Sequence, residues 1–193
     1  MINRILHIAY GKWFNKALMV LAICYMPLAI IGCGYTTRSM ISSEYRTIYI
    51  APFVNLINIT SDADAQSKYK IYKPLLESDI TRAVVDKYLF DGNLKPVEKA
   101  NADLYLKGEL VDFRREPLRY TDQDDVQEYR ISISVNLKLI NNKTGVVIWT
   151  EDRFTGESTY FVSGRLAKSD TVGVNDAIAD LARRVVERTV EEW

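Results

Sequence analysis

From Glu128 to Ile140 the chain alternates without a break. Ile131, Ile133, Val135, Leu137 and Leu139 fall on one side, and Arg130, Ser132, Ser134, Asn136 and Lys138 on the other. No helix gathers such a pattern into one stripe. A long strand does, with one face buried and one polar. A strand of that length needs neighbours, and the flanking sequence supplies them. Asp103 to Arg115 carries Leu104, Leu106 and Leu110, and its phase slips at Val111 and Phe113, which predicts a bulge. Asn141-Asn-Lys-Thr-Gly145 reads as a turn, and Val146 to Phe154 as the returning hairpin partner.

Around this meander the periodicity changes. Thr47 to Val54 is rich in β-formers, with Pro52 confining it to an edge or strand end. Asn55 to Ser67 reads as a loop. Between Ser67 and Leu89 the positions Leu75, Leu76, Ile80, Ala83, Val84 and Tyr88 recur at helical spacing. Pro74 suits the first turn of that helix, and Asp91-Gly92-Asn93 stops it. Leu94 to Glu98 is a short extended piece, an additional edge at most, and Gly156 to Gly173 reads as irregular. From Val174 to Trp193 a helix sets Ala177, Ile178, Leu181, Val185 and Val186 on one stripe. The expected fold is α+β in the order β-α-β-β-β-α: about four strands, with both helices packed on one face.

The N-terminus is of different composition. No Asp or Glu precedes Glu44, whereas Arg4, Lys12 and Lys16 precede an apolar run from Ala17 to Ile31. That run is interrupted by Pro27 and is short for a membrane span, so it reads as a signal peptide. It ends in Ile30-Ile31-Gly32-Cys33, which resembles the lipobox of bacterial lipoproteins, cleaved before the Cys and acylated on it. The expected organisation is therefore a signal peptide over 1–32, a lipidated Cys33 with a short tether over 33–45, and one periplasmic α+β domain over 46–193. By the same resemblance, Gly34 is not the Asp that retains lipoproteins in the inner membrane, which points to the outer membrane.

Cleavage removes His7, the only His, together with Cys24, and Cys33 is consumed by lipid. The mature domain then has no disulfide, no thiol and no imidazole, which excludes most nucleophilic triads and common zinc sites. No phosphate-cradling glycine loop or dinucleotide fingerprint is present. Asp122, Asp124 and Asp125 lack the Gly and distal Glu of a calcium loop and read as a solvated acidic turn. Glu109 and Asp112 are expected on opposite faces of their strand, so they do not pair as acid and base. The expectation is a protein that is not an enzyme, with no metal or cofactor. With 25 basic and 25 acidic residues it lacks the charge of a nucleic-acid binder.

Five pieces taken in order resemble the LptE family of lipopolysaccharide-assembly lipoproteins. They are Cys33-Gly34-Tyr35, Ile48-Tyr-Ile-Ala-Pro-Phe-Val-Asn55, Ala102-Asp103-Leu-Tyr-Leu-Lys-Gly108, and Glu128-Tyr129-Arg130 with Lys143-Thr-Gly-Val-Val-Ile-Trp149. The last is a Tyr near 160 before a terminal helix ending at Trp193. Taken singly, Tyr35 reads as a tether aromatic, Trp149 and Trp193 as core residues, and Gly108 as a strand bulge. The resemblance implies partners, not a reaction: a plug and scaffold inside an LptD-type outer-membrane β-barrel, assisting lipopolysaccharide transport, with a lipid anchor in the membrane.

Lipopolysaccharide carries phosphates, for which guanidinium groups offer paired hydrogen bonds. Arg114, Arg115 and Arg119 cluster near one hairpin end and are candidate contacts, with Lys143 a fourth. Spacing leaves open whether Lys143 shares their end, because consecutive hairpin turns ordinarily lie at opposite ends of a meander. Two other classes remain open: an LpoB-like activator of a peptidoglycan synthase, and a carrier with an apolar lipid cavity. Thr36 to Arg46 spans 11 residues, roughly 35 to 40 Å at full extension, a reach that favours a partner in the same membrane.

Overall fold

The computed structural model describes residues 44–57 and 73–190. The signal segment, Cys33, Tyr35, most of the tether and Trp193 lie outside the described residues. Within them the chain runs β1 (Thr47–Ile50), β2 (Val54–Asn55), α1 (Leu76–Asp91) and β3 (Lys95–Pro96). A 3-10 turn (Lys99–Asn101) leads into β4 (Leu104–Tyr120), β5 (Val126–Asn141), β6 (Val147–Phe161) and α2 (Asp170–Val190).

The alternation of β5 dictates the core. Ile131, Ile133, Val135, Leu137 and Leu139 are all buried, and they meet Leu104, Leu106, Leu110 and Phe113 of β4 on the same side. Both helices cover that side. α1 contributes Leu76, Ile80, Val84 and Tyr88, four residues apart, and α2 contributes Ala177, Ile178, Leu181, Val185 and Val186. Two helices over one face of a mixed sheet is the arrangement the pattern predicts.

Among the described residues the sheet has six strands in the order β3-β1-β4-β5-β6, with β2 pairing β4. The expected count of about four is corrected by two-residue strands too short to carry any periodicity. β3 adds parallel to β1 and β2 parallel to β4, so Asn55 is strand where a loop was expected, and Val54 belongs to a separate short strand from β1. β1 also pairs β4 in parallel, while β4, β5 and β6 form the antiparallel meander.

Gly156 to Phe161 is a second correction. It continues β6 in register against Glu128 to Ile133, and the chain leaves the strand only after Phe161. Beyond Leu110 the outer edge of β4 has no strand partner among the described residues, so Pro117 removes no ladder bond and the strand runs on to Tyr120.

Local signals set the helix ends. Gly92, at φ 77°, closes α1, and its N–H returns to the Tyr88 carbonyl at 3.0 Å. α1 begins at Leu76, two residues after Pro74, with Leu75 at φ 60°. Ser169 precedes α2 and its hydroxyl accepts from Val172 N–H at 3.4 Å. The bulge falls between Leu110 and Asp112 as expected. Gly108 is not a bulge. It stands in register opposite Leu137, and a Cβ there would enter the Phe53 ring.

Candidate functional site

With the helices on one face, the other face of the sheet is bare among the described residues. Its middle is built from short polar side chains that pair across the strands. The Ser134 and Thr155 hydroxyls lie 2.8 Å apart, the Ser132 hydroxyl donates to Glu157 at 3.1 Å, and Asn136 accepts from Arg153 N–H at 3.0 Å.

The bulge overturns one expectation about this face. By inserting Val111 it brings Asp112 opposite Ser134, on the same side as Glu109 opposite Asn136. The two carboxylates face one way, yet each is held by cations. Glu109 meets Lys107 at 2.8 Å. Asp112, 5% exposed, meets Arg114 Nε at 2.8 Å and Arg153 Nη2 at 3.0 Å. The Arg114 contact is an ion pair off the line of a hydrogen bond, and Asp112 Oδ1 has no hydrogen-bond partner among the described residues. Sequence reasoning missed the Asp112–Arg153 pair, because Arg153 is brought in by its own positive φ of 53° at the register shift between β5 and β6.

The four candidate phosphate contacts separate. Arg114 and Arg119 lie on the open face, Arg119 opposite Glu128 at 3.7 Å with its guanidinium 5.8 Å from the Phe161 ring. Arg119 is the most solvent-available of the three arginines, with 61% of its side chain exposed. Arg115 faces the helices. It lies 4.9 Å from the Tyr129 ring centre and pairs with Asp170 at the start of α2 at 2.7 Å. The Tyr160 hydroxyl also donates to Asp170, and Tyr160 stacks on Tyr129. Burial opposes ionisation of Asp170, but the Tyr160 hydroxyl and the Arg115 guanidinium hold its pKa below the usual carboxylate value. Burial pushes the Tyr160 phenol up to about 12.

Lys143 lies at the other end. Its turn abuts the start of β4, 16 positions before Tyr120, roughly 50 Å along the strand. There its ammonium is 2.6 Å from Asp103, which also accepts from the Thr47 hydroxyl at 2.8 Å and from the backbone N–H groups of Arg46 and Thr47. The hydrogen bond from Lys143 leads the causes that hold the Asp103 carboxyl well below its ordinary pKa.

A group depressed in the folded state contributes stability that is present above its unfolded pKa and is lost as pH falls through the folded value. Asp103→Asn should therefore lower the urea midpoint at pH 7 and flatten the decline of stability below about pH 4. Identical acid profiles for the two proteins would contradict this role for Asp103.

Trp149 lies against the helix side, half-buried, with the Arg188 guanidinium 5.1 Å from its ring and Arg188 Nε 2.8 Å from Glu151. The residues of the recurring pieces thus mostly hold the framework together. Asp103 ties β1 to β4, Tyr160 ties β6 to α2, and Trp149 lies between β6 and α2.

The fold and this face define a class: an α+β domain whose helix layer closes its own core and whose opposite sheet face is polar among the described residues. The family model described as lipopolysaccharide-assembly, LptE, matches residues 45–191, and the chain belongs to that family. Among solved structures, protein XCC0632 from Xanthomonas campestris shares the fold. It has a TM-score of 0.51 at 14% identity, over 75% of this chain and 83% of that one. Rare lipoprotein B from Shewanella oneidensis aligns with a TM-score of 0.39 at 14% identity, over 73% and 89%. The PelC dodecamer from Paraburkholderia phytofirmans aligns at 0.41 and 16%, over 76% and 92%. Among curated proteins there is no significant match.

Proposed function

We propose that this chain is an outer-membrane lipoprotein, anchored through acylated Cys33, that sits as plug and scaffold within an LptD-type β-barrel during lipopolysaccharide transport. Family membership over nearly the whole described region supports the pathway. The observation that carries the plug reading is the bare sheet face: a lining of Ser, Thr, Asn and paired charges suits a water-filled lumen, since barrel interiors are polar. The organisation that goes with this is a signal peptide over 1–32, a tether over 33–45 and a periplasmic domain from 46 onward.

Phosphate contact falls most naturally to Arg119 on the open face, while Arg114, Arg115 and Lys143 already hold Asp112, Asp170 and Asp103. Replacing Arg114, Arg115 and Arg119 with Ala should weaken lipopolysaccharide binding roughly tenfold, the order of one charge-assisted hydrogen bond. Circular dichroism should remain native. Unchanged affinity in an intact fold returns these arginines to the reading of solvated surface residues. Cys33→Ala should leave uncut precursor without acyl chains on mass spectrometry, and a cleaved, acylated product would contradict the anchor.

A further inference from the structure

β1, β3 and β4 all start, and β5 ends, at one end of the sheet, where α1 also ends just ahead of β3. This is the end at which the chain enters from Cys33, 11 residues before Glu44. Exposed apolar side chains stand near this end. Phe90 is 85% exposed and Leu89 59% at the close of α1, and Val146 is 62% and Val147 47% at the β5–β6 turn.

Lysines flank these apolar groups. The Lys87 ammonium lies 5.2 Å from the Phe90 ring, Lys95 opens β3, and Lys143 stands in the turn before Val146. Apolar side chains flanked by long cationic stems fit the boundary between headgroups and acyl chains, where the stems lie along the apolar layer and the ammonium groups stay wet.

We propose that this end of the domain docks on the phospholipid interface of the membrane that holds Cys33. The proposal rests on the reading of Cys33 as a lipid anchor and describes the chain outside its barrel partner. The short tether argues for the occupant, because it keeps this end within reach of the bilayer that carries the acyl chains. One acyl chain anchors only marginally, and a second membrane-binding element adds to it. Asp91, Glu98 and Asp103 nearly offset the lysines at this end, so apolar burial rather than charge drives the contact.

The test uses the acylated chain in vesicles of three parts phosphatidylethanolamine to one part phosphatidylglycerol containing spin-labelled lipid. Phe90→Cys, Val146→Cys and Leu118→Cys, the last at the opposite end, each carry an environment-sensitive fluorophore. The expected result is roughly five-fold more quenching at Phe90 and Val146 than at Leu118, retained when phosphatidylcholine replaces the anionic lipid. Equal quenching at all three sites, or quenching that requires the anionic lipid, overturns the proposal. Mass spectrometry separates the two levels. An acylated Cys33 with unquenched labels overturns the docking alone, and an unacylated Cys33 overturns the anchor and the docking with it.

Discussion

Val135→Asp should abolish the native fold. Val135 is fully buried at the centre of β5, opposite Leu110 on one side and Phe154 on the other, beneath α2. An aspartate there would sit among apolar side chains: the charged side chains of β5 lie on the opposite face, and the Arg184 guanidinium over the neighbouring Phe154 ring already donates to the Thr155 carbonyl. Burying an unpaired carboxylate costs several kcal/mol even when the group takes up a proton. Against a total stability of about 5–15 kcal/mol, a loss of roughly 4 kcal/mol or more leaves little folded protein at 37 °C. Circular dichroism with a thermal scan reads this directly. A cooperative, native-like transition in the mutant would mean that the two faces of β5 have been assigned the wrong way round.

Gly156→Val should be nearly as damaging for a different reason. Gly156 lies in β6 opposite Ile133, under α2, and a Cβ built on it would come within 2.6 Å of the backbone N and Cα of Leu181. A flexible side chain could turn aside, but helix backbone cannot, so α2 must lift from the sheet along its length. Overpacking typically costs roughly 1–3 kcal/mol, and displacement of a whole helix puts this site at the top of that range or beyond. Denaturant titration should show a lowered midpoint, and hydrogen exchange should show α2 losing protection first. Wild-type stability would mean that the helix does not approach the strand this closely.

The parts of the fold that sequence revealed are those where burial imposes a period. β5 was legible because every second residue enters the core, and the bulge at Val111 because it breaks that rhythm. The stop of α1 at Gly92 was legible because few other residues close a helix at positive φ so easily. Gly156 to Phe161 was not. In this edge strand the outer face carries Thr155, Glu157 and Thr159, and the inner face between Phe154 and Tyr160 is completed by Gly156 and by Ser158, whose hydroxyl donates to Gly173 O. Alternation is absent there because the helix, not a side chain, fills the space. β2 and β3 were illegible because two residues carry no period, and their partners are set by the parallel crossover through α1.

The same limit governs the candidate site. Sequence spacing grouped Arg114, Arg115 and Arg119, but neighbours in a strand face opposite ways, and Arg115 turns to Asp170 while Arg114 turns to Asp112. Lys143 belongs to the far turn and holds Asp103. The pairing of Asp112 with Arg153 required the bulge to change the face of one partner and a positive φ to bring in the other.

The central claim is that this chain works inside a β-barrel partner of its own membrane. The most direct measurement is detergent extraction of the acylated protein from its native envelope, then affinity capture and mass spectrometry of the proteins that remain bound. The account predicts one large outer-membrane β-barrel protein in near-stoichiometric amount, retained through washes at high salt. Capture of a peptidoglycan synthase in its place, or of the lipoprotein alone, would contradict it.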